Sequence, residues 1–148
     1  MLQIRKVKPE DIGFIMKLTS ENGFSGGKLL SNIENFLICE SDNIKCGCGC
    51  LIASGDKGFM SCVIVSDDHR RKKLGGAIVK ALLNIADLKG IAEVYAAGIC
   101  GDFLKAMGFE VQDNKVAAND VKEVFGDISG SECYRVFLKG YFKPCSQK

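Results

Sequence analysis

The chain opens with an alternation. "LQIRKV" (2–7) steps between apolar and polar residues, the period-2 pattern of a strand with one buried face. The period then lengthens. In "PEDIGFIMKLTSENG" (9–23), Ile12, Ile15, Met16 and Leu18 give a helix an apolar face. Pro9 suits its first turn, Glu10 and Asp11 favour the positive end of its dipole, and Gly23 fits its end. "GGKLLSNIENF" (26–36) predicts a second, shorter helix.

Strand patterning returns in "FLICE" (36–40), "IKCGCGCLIA" (44–53) and "GFMSCVIVS" (58–66). Turn residues separate them: Ser41-Asp42-Asn43, then Gly55-Asp56-Lys57-Gly58. The third of these is apolar on both faces, with Phe59, Val63 and Val65 expected on one and Met60, Cys62 and Ile64 on the other. Such a strand is central and covered on both sides. "KLGGAIVKALLNIADLKG" (73–90) predicts a long helix ending at Gly90. After it come a strand "IAEVYAAG" (91–98), a short helix "GDFLKAMG" (101–108) stopped by Gly108, and a strand "FEVQD" (109–113). A helix "ANDVKEVFGD" (118–127), a last strand "ECYRVFLKG" (132–140) and a frayed tail complete the pattern. No repeat or linker interrupts it, so the expectation is one domain, 1–148. The element order predicts a mixed α/β (α+β) sheet with helices on both faces.

Composition narrows the class. A chain of 148 residues, 47% apolar, can bury a full core without staples. The net charge of +2 is too small for a nucleic-acid binder. No run of about 18 apolar residues predicts a membrane span. The charged start predicts no secretion signal, so a cytoplasmic location and reduced thiols are expected for the eight cysteines. None of these is spaced C-x-x-C. In "KCGCGC" (45–50), strand alternation puts Cys46, Cys48 and Cys50 on one face and Gly47, Gly49 and Leu51 on the other. Three thiols spread over roughly 13 Å of strand do not close around one metal. They pack as small hydrophobes, and the bare glycine side admits a close neighbour.

The segment richest in chemistry is "VIVSDDHRRKKLGGAIVKALL" (63–83). A buried strand is followed by the cations Arg70, Arg71, Lys72 and Lys73, then Leu74, Gly75, Gly76 and a helix. Unpaired N–H groups and the dipole make that helix N-terminus an anion site, and glycine lets a phosphate reach the backbone. Neither the Walker pattern nor G-x-G-x-x-G is present. By composition alone, a solvated charged turn explains "HRRKK" as well. A nucleic-acid patch would need interleaved aromatics, which are lacking.

This segment resembles the acetyl-CoA loop of the GNAT superfamily of N-acetyltransferases, [Q/R]-x-x-[G/A]-x-[G/A]. Arg70 to Gly75 fill that pattern, with Lys73 standing where a small residue is usual. "IRKVKPEDIGFIMKL", "FLICESDNIKCGCGCLI" and "FLKAMGFE" resemble the family's first strand and helix, its second and third strands, and its F-Y-E-K-L-G-F segment, over roughly residues 2–113. Small amino-acid-type members, including those associated with arsenic resistance, look closest.

The resemblance implies a mostly antiparallel twisted sheet with a splay between strands 4 and 5. It also implies direct acetyl transfer from acetyl-CoA, with no metal, to an amine of a small molecule or amino acid; a homodimer is one assembly it admits. The backbone of Val63, Ile64 and Val65 would hold the pantetheine arm. The loop Arg70, Arg71, Lys72, Lys73, Leu74, Gly75 and Gly76 would hold the pyrophosphate, and Phe103 would line the cofactor. The family's proton-donating tyrosine falls at Leu104, and its fourth-strand Glu and Arg at Phe59 and Ser61. Tyr95 and Cys100 are therefore the candidate catalytic residues, each weighed against a packing role; His69, Glu93 and Asp102 are weaker ones. Two alternatives stay open: a catalytically degenerate acyl-CoA-binding module, and a soft-metal or arsenical binder using Cys46, Cys48 and Cys50.

The loop assignment makes one mutation decisive. Gly75→Glu would put a carboxylate against the phosphates, and calorimetry with CoA should show binding lost. Unchanged affinity would mean that the loop does something else.

Overall fold

A computed structural model describes residues 2–22, 32–66, 74–97, 99, 101–112, 133–139 and 141. Strands β1 (Leu2–Lys6), β2 (Phe36–Ser41), β3 (Ile44–Ser54), β4 (Lys57–Val65), β5 (Glu93–Ala96), β6 (Glu110–Val111) and β7 (Tyr134–Phe137) form one sheet. Its order is β1-β2-β3-β4-β5-β7-β6. All neighbours are antiparallel except β4 and β5, which run parallel. Helix α1 (Ile12–Glu21) packs on one face; α2 (Leu74–Leu88) and α3 (Gly101–Ala106) pack on the other. The expected mixed sheet, helices on both faces and parting of strands 4 and 5 are all present.

Local chemistry explains most of the boundaries. Pro9 opens a 3-10 turn, Pro9–Asp11, that leads into α1. The Lys8 backbone N–H donates to Asp11 Oδ2 at 2.7 Å, a side chain reaching back to cap a turn. Asn22 closes α1 by donating its Nδ2 to Leu18 O at 2.8 Å. The β2–β3 hairpin turns on Asp42 (φ 53°) and Asn43 (φ 68°). Positive φ at both central residues defines the type I′ turn that matches strand twist. Gly90 (φ 76°) ends α2, with Ile91 N bonded to Ala86 O and Gly90 N to Asp87 O. Gly108 (φ 97°) ends α3 in the same way, through Phe109 N to Leu104 O and Gly108 N to Lys105 O. Both are Schellman endings, where glycine relieves the left-handed conformation.

Several expectations are corrected. Ile33–Asn35 is a single 3-10 turn rather than the end of a second helix, and Phe36 already belongs to β2; residues 26–31, the helix expected over 118–127 and nearly all of the tail lie outside the described residues. Cys46 does not share a face with Cys48 and Cys50. It is an extra residue at a bulge, because Cys39 pairs with Gly47 while Glu40 pairs with Lys45. Cys46 therefore packs with Cys39 under α2, Sγ to Sγ 3.5 Å, while Cys48 and Cys50 face α1.

The strict alternation expected along β4 also fails. Cys48 pairs with Ile64 and Cys50 with Ser61, so Cys62 and Val63 together oppose Gly49. This second bulge puts Cys62 at φ 55° and reverses the faces beyond it. Phe59, Cys62 and Ile64 join the clusters on the α1 side, while Met60, Val63 and Val65 pack toward α2.

The glycines of β3 seat α2. A Cβ on Gly49 would stand 2.6 Å from Ile78 Cγ2 and 3.0 Å from Leu82 Cδ1. One on Gly47 would stand 2.8 Å from Ile64 O and 3.1 Å from Ile78 Cδ1. The close neighbour expected on that bare face is the helix. Its buried positions Leu74, Ile78, Val79, Leu82, Leu83 and Ala86 recur at helical spacing and form the centre of the core.

At the other face, Asp11 is wholly buried and satisfied. Arg5 donates to it twice, Nη1 at 2.7 Å and Nη2 at 3.0 Å, and Lys45 Nζ lies 2.8 Å away. Arg5 also pairs with Glu40 on β2. The carboxylate thus ties the start of α1 to β1 and β3, and Arg5 holds its pKa well below the usual range.

Two stability predictions follow from this packing. Gly49→Ala should cost about 1–3 kcal/mol in urea unfolding, the penalty for overpacking a filled interior. Asp11→Asn should cost about 3 kcal/mol near neutrality, since it leaves cations facing a neutral group. Because the folded pKa of Asp11 is depressed, its contribution is present above the unfolded carboxylate pKa of about 4 and fades as pH falls further. The gap between wild type and Asp11→Asn should therefore narrow in unfolding experiments taken from about pH 5 toward pH 2.

Candidate active site

The bulge at Cys62 sits where β4 loses its second neighbour. The parallel ladder runs Lys57↔Glu93, Gly58↔Val94, Phe59↔Tyr95 and Met60↔Ala96, and stops there. Ala97 N still reaches Met60 O at 3.4 Å, and the buried Ser61 hydroxyl donates to Ala97 O at 3.3 Å. Beyond that pair β4 continues to Val65 on its β3 ladder alone. The chain after Ala97 leaves the sheet for α3. A cleft with strand backbone on one wall results, and a bulge is the device that turns a strand away from a partner it has been pairing with.

Most of the described candidates border this cleft. Val63 and Val65 are half-buried and anchor toward α2, while Ile64 is buried against α1. These side chains pin the strand from both faces, and among the described residues no strand pairs with its edge toward β5 past Met60. Helix α2 starts at Leu74, which is buried, followed by Gly75 and Gly76, both half-buried. Phe103 of α3 lies against this start, 3.5 Å from where a Gly75 Cβ would be. The parted strands, the start of α2 and Phe103 are therefore neighbours. Arg70, Arg71, Lys72, Lys73, Cys100 and His69 lie outside the described residues.

Tyr95 is placed differently. It is on the α1 side of the sheet, stacked on Phe59 with ring centroids 5.7 Å apart. Its hydroxyl donates to Glu93 Oε1 at 2.9 Å, toward the start of β5 and away from the parting. Burial, and then the Glu93 carboxylate, push the phenol pKa up. Leu104 is fully buried. The sequence reading passed over Ser61 and Cys62 as bridge and bulge; no glycine marks the positive φ at Cys62.

The described cysteines do not assemble a metal site. Among the described residues, no three His, Cys, Asp or Glu side chains converge as ligands. The described cysteines are free and buried. Burial pushes Cys48 up to about 12 and Cys62 up to about 11, so both stay protonated at neutral pH. Soft metals bind thiolates. A cavity of ~310 Å3 lies along the β7 edge among Glu110, Arg135, Phe137 and Lys139, apart from the cleft.

Comparison with known proteins fits this geometry. Residues 32–111, more than half of the chain, match the acetyltransferase (GNAT) domain family. The chain belongs to that family, and its seven-stranded sheet with parallel β4 and β5 is the GNAT fold. N-acetylglutamate synthase from Neisseria gonorrhoeae, solved with coenzyme A and N-acetyl-glutamate, superimposes with a TM-score of 0.81 at 22% identity. That likeness covers 93% of this chain and 35% of the synthase, so the chain spans about a third of that enzyme's length. Rv2747 from Mycobacterium tuberculosis, solved with CoA, gives 0.75 at 21% identity, covering 91% of this chain and 98% of that one. The ribosomal-protein-S18-alanine N-acetyltransferase from Escherichia coli gives 0.71 at 14%, covering 93% and 94%. No protein of curated function matches the chain. Among the described residues, no helix is long and apolar enough to cross a membrane.

Proposed function

We propose that the chain is a single-domain N-acetyltransferase that moves the acetyl group of acetyl-CoA directly to the amine of a small molecule or amino acid. The observation that carries this reading is the cleft. Among the described residues, the β4–β5 ladder ends at Met60 and Ala96, and β4 continues past it toward the N-terminus of α2. Strand backbone there offers N–H and C=O groups at the spacing of an extended amide chain, which is what the pantetheine arm presents. The N-terminus of α2, open at Gly75 and Gly76, suits the pyrophosphate. The run Arg70 to Lys73 precedes it in the sequence and adds charge of the right sign.

The chemistry needs few side chains. The amine attacks the thioester carbonyl, the tetrahedral oxyanion is met by backbone donors near the bulge, and the CoA thiolate leaves. Much of the rate gain comes from holding amine and thioester together. The amine must arrive neutral, and water carries its proton away.

The acceptor belongs to the amino-acid type in this reading, the branch to which the arsenic-resistance-associated members also belong. The structural likeness to a synthase carrying N-acetyl-glutamate guides the choice of amines to test. Ser61 stands where an arginine for a substrate carboxylate would be expected, so neutral amines belong in the test as well. A second reading has its own support: with Leu104 buried and Tyr95 tied to Glu93, neither supplies a proton donor to the cleft. On that reading the protein binds acyl-CoA without efficient transfer.

One assay separates the two. Acetyl-CoA is mixed with the protein and a panel of L-glutamate, other amino acids, small amines and an alanine-terminated peptide, and free thiol is followed. Amine-dependent thiol release is expected. CoA binding by calorimetry with no release from any amine would favour the binding module, and no CoA binding would end both readings.

A further inference from the structure

We propose that the cavity at the β7 edge is a second ligand site, which takes a small monocarboxylate with an apolar body. Nothing in this site depends on acetyl transfer. The cavity exists because β6 is short. Backbone hydrogen bonds along β7 alternate between its two sides. Leu138 N bonds to Ala92 O toward β5, and Gln112 N bonds to Cys133 O from the β6 side. By that alternation Cys133, Arg135 and Phe137 all turn their backbone groups toward β6. Glu110 stands opposite Arg135, and the same register would put Gly108 opposite Phe137. Gly108 has already left the strand. Its φ of 97° belongs to the ending of α3, and its N–H bonds to Lys105 O. The place where β6 would continue is a space of ~310 Å3 that Phe137 lines.

Its walls carry both charge and apolar surface. Arg135, Phe137 and Lys139 line it from β7 and the chain just beyond, Glu110 lines it from β6, and Gly108 and Tyr141 close it. The Arg135 guanidinium lies over the Phe137 ring, Cζ 4.4 Å from the centroid. A guanidinium held by a ring face keeps its N–H edge for a carboxylate, which it meets with two parallel bonds. Burial and the Glu93 carboxylate raise the Tyr95 pKa while Arg135 lowers it, so the guanidinium also reaches this cross-strand neighbour. Opposite charges facing each other across a ladder ordinarily attract. Arg135 faces Glu110, yet among the described residues no ion pair joins them; the described ion pairs belong to Arg5, Asp11, Glu40 and Lys45, toward the other end of the sheet. Phe137 is 55% exposed and Tyr141 half-buried, so an apolar body has surface to cover.

Charge balance selects the ligand. Two cations and one carboxylate leave a single positive charge, which one anionic group neutralises. Glu110 opposes a second negative charge, and that disfavours phosphate and dicarboxylates. The Arg135 fork and the Lys139 ammonium together supply donors for both oxygens of a carboxylate. The position leaves the cleft open. Phe137 pairs with Glu93, the first residue of β5, whereas the strands part after Ala96, its last. An occupant of this cavity and a ligand in the cleft can therefore be bound at once.

Cyclohexanecarboxylate is the probe, and cyclohexanecarboxamide, the same shape without the charge, is its control. Calorimetry on the full chain should show saturable binding of the carboxylate, with the amide at least about 10-fold weaker, the scale of hydrogen bonds to a charged group. Excess CoA should leave the probe affinity unchanged. Arg135→Gln should weaken the probe about 10-fold or more, because it removes the charged fork. Lys139→Ala, at an exposed position, should cost about threefold, the scale of an exposed charge pair. Glu110→Gln should strengthen the probe and let inorganic phosphate bind. Circular dichroism checks that each variant is folded; should Arg135→Gln fail to fold, Lys139→Ala and Glu110→Gln carry the test. No saturable binding, equal affinity for the amide, displacement of the probe by CoA, or folded variants that bind as wild type does would each overturn the proposal.

Discussion

Strand β4 serves two neighbours with different demands, and the rest of the molecule is arranged around that conflict. Toward β3 it pairs along nearly its whole length; toward β5 it pairs over four residues and then departs. A regular strand cannot do both, because sheet twist keeps paired neighbours together. The extra residue at Cys62–Val63 breaks the pairing period without breaking the strand. It holds a non-glycine residue at φ 55°, a conformation that costs of order 1–3 kcal/mol and persists only where the surroundings enforce it. Ladder pairs at Ser61 and Ile64 clamp it on the β3 side, and the Ser61 hydroxyl bridges to Ala97 on the other.

The helix that borders the cleft depends on β3 in turn. Gly47 and Gly49 remove side chains where Ile78 and Leu82 come down, so α2 sits close to the sheet and Leu74 of its first turn packs in the same cluster as Val63 and Val65 of β4. Cys48 and Cys50, on either side of Gly49, are small apolar residues that fill space on the α1 side. Burial raises the pKa values of Cys48 and Cys50, and the same burial keeps them out of thiolate chemistry. The alternation of cysteine and glycine in this strand is a packing solution for two helices approaching one strand from opposite faces.

How much was legible depended on whether a feature is local. Hairpin turns, the Pro9 start of the first helical stretch, and the endings at Gly90 and Gly108 were readable because each is written in two or three adjacent residues. The long helix was readable from its periodicity. The two bulges were invisible, since neither carries a glycine or proline, and each changed which face several cysteines and valines occupy. The same limit applied to the site. The cation run, Gly75 and Gly76 stand out in the chain, whereas Ser61 is an ordinary strand residue until the sheet order sets it beside Ala97.

By itself, the sequence determined the inventory of elements, the mixed sheet, the family resemblance and where a cation run and paired glycines precede the long helix. These rest on periodicity and short motifs, which act between near neighbours. Tertiary structure alone decided which faces the thiols occupy, where β4 and β5 part, and that the Ser61 hydroxyl bridges to Ala97 at that parting. Those follow from strand register and helix seating, in which residues dozens of positions apart must fit the same few ångströms, and no local pattern encodes that fit.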